Sequence, residues 1–187
     1  MTADQPHREG FLARVRNKLF RRRPSSAPAV ILPKMAVCFD KKLSLLLPAD
    51  FEQVGSSRNE HLFKGETSGM YLRMMQIPFR RPLRQLTVTD VRLGFRSLIS
   101  VDLRPEVTHG YLKHSPMLTA VWTHPPAEKR FMRGNVEVTL KKGEEKTVLR
   151  LIQVRETVFL LLFTDVTQEA LPYAEAMLYS VSVDVRQ

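Results

Sequence analysis

Between Thr157 and Thr164 the chain carries six consecutive apolar residues, Val158 to Phe163, all of them compatible with a strand. Alternate side chains of a strand point to opposite faces, so Val158, Leu160 and Leu162 face one way while Phe159, Leu161 and Phe163 face the other. A half-exposed strand alternates apolar with polar residues. An unbroken run of this length therefore predicts a strand near the middle of a layered domain, covered on both faces. Helices are the usual covers.

The segments around this run supply partners for it. Lys42 to Leu47 reads as a strand ending at Pro48, and Asp50, Gly55, Ser56 and Ser57 predict turns after it. Glu60 to Lys64 and Met70 to Ile77 read as two strands joined through Gly65 and Gly69, a meander. Pro78, Pro82, Arg80, Arg81 and Arg84 predict a stiff, exposed loop. Thr87, three residues before Asp90, has the spacing of a capping box, and Val88, Val91, Phe95, Leu98 and Ile99 form one helical stripe with Arg92 and Arg96 off it. Val107 to Leu112 and Leu118 to Thr123 predict strands, the second closed by Pro125 and Pro126. Asn135 to Leu140 alternates apolar with polar residues, and a turn at Lys142, Gly143 and Glu144 would pair it with Val148 to Val154. The reversal at Arg155 and Glu156 lacks Gly or Asn and predicts a bulge. Pro172 suits the first turn of a last helix starting near Glu169, with Tyr173, Met177 and Val181 on one face.

With 187 residues, 43% of them hydrophobic and 26% charged, the chain is sized for one ordinary domain plus a tail. No window approaches the roughly 18 consecutive apolar residues of a membrane-spanning helix. Cys38 is the only cysteine, which excludes an internal disulfide and any multi-cysteine zinc cluster and points to a reducing compartment such as the cytoplasm.

Charge is unevenly placed. Residues 1–34 hold eight Lys or Arg against Asp4 and Glu9, so this fifth of the chain carries +6 of the net +10. Phe11, Leu12, Val15 and Leu19 follow helical spacing there and are candidate membrane contacts. Arg14, Arg16, Lys18, Arg21, Arg22 and Arg23 are candidate contacts to an anionic partner. The same cations interrupt what would be the apolar core of a secretory signal. Pro24, Ser25, Ser26, Ala27 and Pro28 compose a linker, which places a boundary near residue 35. Residues 1–34 are then a basic, largely disordered extension and residues 35–187 an α+β domain.

Motifs for chemistry are missing from the sequence. His109, His114 and His124 lack metal-ligand spacing, and neither HExxH nor a Cys/His cluster occurs. Cys38 has no signature of a nucleophile, Ser56 and Ser57 lack the GxSxG elbow, and no glycine-rich phosphate loop precedes a helix. These residues give no basis for a catalytic, cofactor-binding or metal-ligating assignment. Tyr71, Phe79, Phe95, Tyr111 and Trp122 would stack on single-stranded nucleic acid only if several were exposed beside Arg80, Arg81 and Arg84. Aromatics at strand and helix positions are more often core.

The C-terminal third adds a family resemblance. A strand, Thr164-Asp165 and then a helix ending in Leu178 to Val183 (LYSVSV) resembles the ending of the Mog/PsbP-like superfamily, including its bacterial DcrB-like branch. Leu43 to Phe51, a strand running into Leu-Pro and then an aromatic, is similar to that family's start, and the helix at Thr87 falls where those proteins place theirs. The resemblance covers about residues 36 to 185. It implies an α+β fold whose mainly antiparallel sheet is sandwiched between helices. It also implies a role in binding other proteins, as photosystem subunits, Ran-binding factors or chaperones for secreted effectors do, with no family-wide functional residues to carry over. The sequence thus predicts a non-enzymatic protein-binding module, chaperone- or adaptor-like, with a peripheral membrane or nucleic-acid adaptor working through the basic N-terminal segment as the alternative.

Overall fold

The computed structural model describes residues 34–39, 42–78, 81–97, 99, 103–133 and 136–184. In chain order the strands are β1 (Lys34–Phe39), β2 (Leu43–Pro48), β3 (Phe51–Ser57), β4 (Glu60–Gly65), β5 (Tyr71–Pro78), β6 (Glu106–Leu112), β7 (Ser115–His124), β8 (Ala127–Arg133), β9 (Val136–Lys142), β10 (Glu145–Val154), β11 (Thr157–Thr167) and β12 (Ser182–Val183). A 3-10 turn at Leu83–Gln85 and helix α1 (Val88–Gly94) lie between β5 and β6, and α2 (Leu171–Ser180) follows β11.

The apolar run lies in β11, fourth of seven strands in the order β3-β4-β5-β11-β10-β7-β6, all antiparallel to their neighbours. Its two faces enter two separate cores. Phe159, Leu161 and Phe163 pack with Leu72, Met74, Ile152, Ala174 and Met177, the last two from α2, and with Leu43, Leu45 and Leu47 of β2. Val158, Leu160 and Leu162 pack with Leu118, Trp122, Leu149 and Leu151 and with Leu83, Val91, Phe95 and Ile99 of the helical segment. The described residues therefore form an α+β fold with a mostly antiparallel sheet and two α-helices. β2 is the central strand of a separate small sheet, β1-β2-β12, and its Leu43, Leu45 and Leu47 are all but fully buried.

Four local expectations are corrected. Phe51–Ser57 forms a strand rather than turns: at the sheet edge, with a register shift between Gln53 and Gly55, weak strand formers such as Gly55 and Ser56 are carried by pairing with β4. The helix capped at Thr87 ends at Gly94, yet Phe95 and Ile99 of the predicted stripe are still buried, because the chain continues along the same sheet face in turns. The reversal at Arg155 and Glu156 joins Val154 directly to Thr157 with no bulge there. Arg155 adopts φ 55° instead, and the register shift lies at the far end of β10, between Lys146 and Val148.

The fourth correction concerns residues 127–142. β9 pairs with β8, a strand the sequence reading left out, and not with β10. His124 pairs with Glu145 and Ala127 with Lys142, so the β7–β10 and β8–β9 ladders share one register across Pro125-Pro126 and Gly143-Glu144. The prolines, which cannot donate to a ladder, interrupt a single long ribbon whose outer part projects as a two-stranded arm.

Candidate functional site

On the Leu160 side of the sheet, the segment from Leu83 to Ile99 leaves an apolar cleft of about 330 Å³. Its floor comes from neighbouring strands: Leu160 of β11 is in register with Met75 of β5, and Ile77 lies two residues further along. Leu86 after the 3-10 turn and Phe95 after α1 form the walls, both buried. Gly94 lines the opening, and a Cβ there would meet nothing within 4 Å. Beside it Leu93 is 51% exposed, a large aliphatic side chain on the outer surface of a short helix.

Among the described residues Asp90 is the one ionisable group lining the cleft, and its carboxylate is engaged locally. Its Oδ2 accepts from the Thr87 amide at 2.8 Å and the Thr87 hydroxyl at 2.7 Å, while its own amide donates to Thr87 Oγ1 at 3.2 Å. This is the capping box that starts α1. The Thr87 hydroxyl, then the Thr87 amide, hold the Asp90 carboxyl below its ordinary pKa, with a smaller contribution from Arg81 at 3.5 Å. Arg81, Arg84, Arg92 and Arg96 are all exposed on the segment that frames the cleft, so its surroundings are cationic.

The other sequence candidates do not converge. Phe11, Leu12, Val15, Leu19 and the basic residues from Arg14 to Arg23 lie outside the described residues, as do Phe79 and Arg80. Cys38 falls in β1 opposite Ser44. His109 is exposed on β6 and His114 is exposed in the turn after it, whereas His124 Nε2 lies 2.9 Å from the Thr147 hydroxyl. Trp122 and Phe95 are core residues and Tyr71 is half-buried, leaving Tyr111, 68% exposed, as the open aromatic of the described members of that stacking group. Among the described residues no three or more His, Cys, Asp or Glu gather in metal-binding geometry. One pair escaped the sequence reading: Ser56 Oγ lies 3.1 Å from His61 Nδ1, across the β3–β4 edge pair. Gln53 Nε2 donates to the same nitrogen at 3.0 Å, which occupies the lone pair a general base would need.

The cleft residues themselves were legible only as strand and helix core. Gly94, inside an otherwise apolar stripe, is the one sequence signal that a side chain is missing on that face.

No protein-family model and no curated protein matches the chain. Among solved structures, the solution structure of cyanobacterial PsbP (CyanoP) from Synechocystis sp. PCC 6803 superposes with a TM-score of 0.56 at 12% identity, over 84% of this chain and 96% of that one. A Bacteroides thetaiotaomicron VPI-5482 protein gives 0.46 at 11% identity, over 82% and 48%. None of the helices in the described residues is long and apolar enough to cross a membrane. The superposition on the cyanobacterial PsbP structure gives this protein a PsbP-like fold.

Proposed function

We propose that this chain is a non-enzymatic protein-binding module, a PsbP-like α/β/α sandwich in residues 35–187 with a basic extension in residues 1–34, working in the cytoplasm. The observation that carries the reading is the cleft beside α1. It is open, about 330 Å³ in volume, and walled by Met75, Ile77, Leu86, Phe95 and Leu160. Its ionisable group among the described residues, Asp90, is held by Thr87 and Arg81. Apolar walls with few polar groups suit an inserted side chain better than a reaction. Four exposed arginines on the same segment favour an acidic partner, so the occupant is an acidic segment of another protein that anchors one aliphatic or aromatic residue in the cleft. Met75 adds an adaptable wall, as methionine does at binding surfaces.

The test is a displayed library of acidic peptides, each with a single apolar anchor, screened against wild type and Gly94→Phe. The substitution fills the opening from a position with free space around it, so the fold is kept. Wild type is expected to enrich a subset of the library and the variant to lose it; enrichment of the same peptides by both proteins would refute the cleft as the site.

A further inference from the structure

None of the described side chains of the β8–β9 arm lines the cleft or enters either core. It is a ribbon of seven paired residues per strand, about 20 Å long, and it belongs to no larger sheet. A two-stranded ribbon alone is marginal in water.

Ladder partners share a face, so positions 127, 129, 131 and 133 lie with 142, 140, 138 and 136. That face carries Phe131, Val136, Val138 and Leu140 together with Lys129, Arg133 and Lys142, and no acid. Leu140 is 56% exposed. Both acids of the arm, Glu128 and Glu137, fall on the opposite face with Arg130, Met132, Thr139 and Lys141. There Arg130 Nε meets Glu128 Oε1 at 2.8 Å, so the second face neutralises part of its own charge. At the base, Lys142 Nζ contacts Glu145 at 2.6 Å and Asp165 of β11 at 3.3 Å, which ties the root of the arm to the main sheet.

We infer that the arm lies flat on an anionic phospholipid surface, with the Val138–Leu140 face down and Lys129 reaching lipid phosphates. Segregation is what points to a bilayer: by register the larger share of apolar positions and the cation Lys129 lie on one face and both acids of the arm on the other, the pattern of an interfacial element. The outer backbone edges of a two-stranded ribbon stay unpaired, which keeps it at the hydrated headgroup level and out of the hydrocarbon. Face-to-face pairing of two copies would instead bring Lys129 of each copy into one interface with no acid of that face to offset it. The N-terminal sequence, with Phe11 and Leu19 among its cations, supplies a second element of the same chemistry, and two weak membrane signals on one chain reinforce each other.

The experiment is sedimentation of the full chain with vesicles of phosphatidylserine and phosphatidylcholine in equal parts, and with phosphatidylcholine alone. Wild type is expected to bind the mixed vesicles only. Val138→Ser with Leu140→Ser lowers the partition by roughly tenfold or more, whereas Met132→Ser, the same chemical change on the opposite face, leaves it within about twofold. Lys129→Glu weakens binding without removing apolar surface, and thermal melting of each variant checks that the fold is kept. No binding by wild type, equal losses from both faces, or a loss produced only by Phe11→Ser with Leu19→Ser would each overturn the proposal. So would a lipid-free dimer in analytical ultracentrifugation that the Val138/Leu140 variant dissolves, since the face would then belong to a second copy.

Discussion

Arg150 Nη1 donates to the Leu178 carbonyl at 3.1 Å, a bond from the middle of β10 to the last turn of α2. Nε of the same guanidinium donates to Thr119 Oγ1 on β7, at 3.3 Å. Among the described residues no carboxylate pairs with Arg150, and burial pushes its pKa below the ordinary arginine value. The cation is held by the carbonyl-rich end of a helix, where the helix dipole is negative. One side chain thereby joins two strands to the helix that covers them.

Removing that side chain leaves the Leu178 carbonyl without its donor and loosens α2. Arg150→Ala is expected to cost about 1.5 to 3 kcal/mol, the range for hydrogen bonds to charged groups. Arg150→Lys recovers only part, because an ammonium lacks the planar fork that reaches both partners. Urea unfolding of the three proteins measures this, and an alanine variant as stable as wild type would remove Arg150 from the account of how α2 is fastened.

Two glycines predict opposite signs. A Cβ on Gly65 would run into Ser68 Oγ and come within 2.6 Å of the Phe51 ring, so Gly65→Ala is expected to destabilise by about 1 to 3 kcal/mol. Gly94 has open space and closes a helix, so Gly94→Ala is expected to stabilise by about 0.5 to 1 kcal/mol. Melting curves of both variants decide it; shifts in the same direction would contradict the packing described at one of the two positions.

What could be read from the sequence was set by period and by local caps. Val158 to Phe163 fixes its own two faces because alternation is a property of any strand, and Thr87 with Asp90 marks a helix start because the capping box is made within four residues. The cleft could not be read, since Met75 and Leu160 are 85 residues apart and meet only through the register of β5 on β11. Arg150 stands between Leu149 and Leu151 in the sequence, and nothing local reveals the helix end opposite. The arm was hidden by Pro125 and Pro126, which end ladder bonding locally but do not end the register, as the Ala127–Lys142 pair shows.

Leu161 is fully buried on the β11 face that packs with α2. Leu161→Ala is expected to cost about 2 to 5 kcal/mol through lost transfer energy and a cavity. Leu161→Asp, which leaves a carboxylate unpaired in the same place, is expected to abolish soluble expression. A folded aspartate variant with a wild-type melting temperature would be incompatible with a dry core at this position.

Glu175, half-buried on α2, gives the chain a pH dependence with a definite sign. Burial pushes its carboxyl above the ordinary glutamate range, against a smaller opposing pull from Lys146. The folded chain thus holds this proton more tightly than the unfolded chain. As pH falls from above the folded pKa towards the ordinary glutamate value, this group makes the fold more stable; below that value it contributes no further change. Near neutral pH the charged, partly desolvated carboxylate opposes folding. Glu175→Gln keeps the shape and removes the titration, so the variant is expected to be more stable than wild type at neutral pH, with the difference closing by about pH 4, where glutamate is largely protonated. The other carboxylates titrate in both proteins and cancel in the comparison. Urea midpoints of the pair at the two pH values measure it, and a difference that stays constant between them would show that Glu175 acts on stability by packing alone.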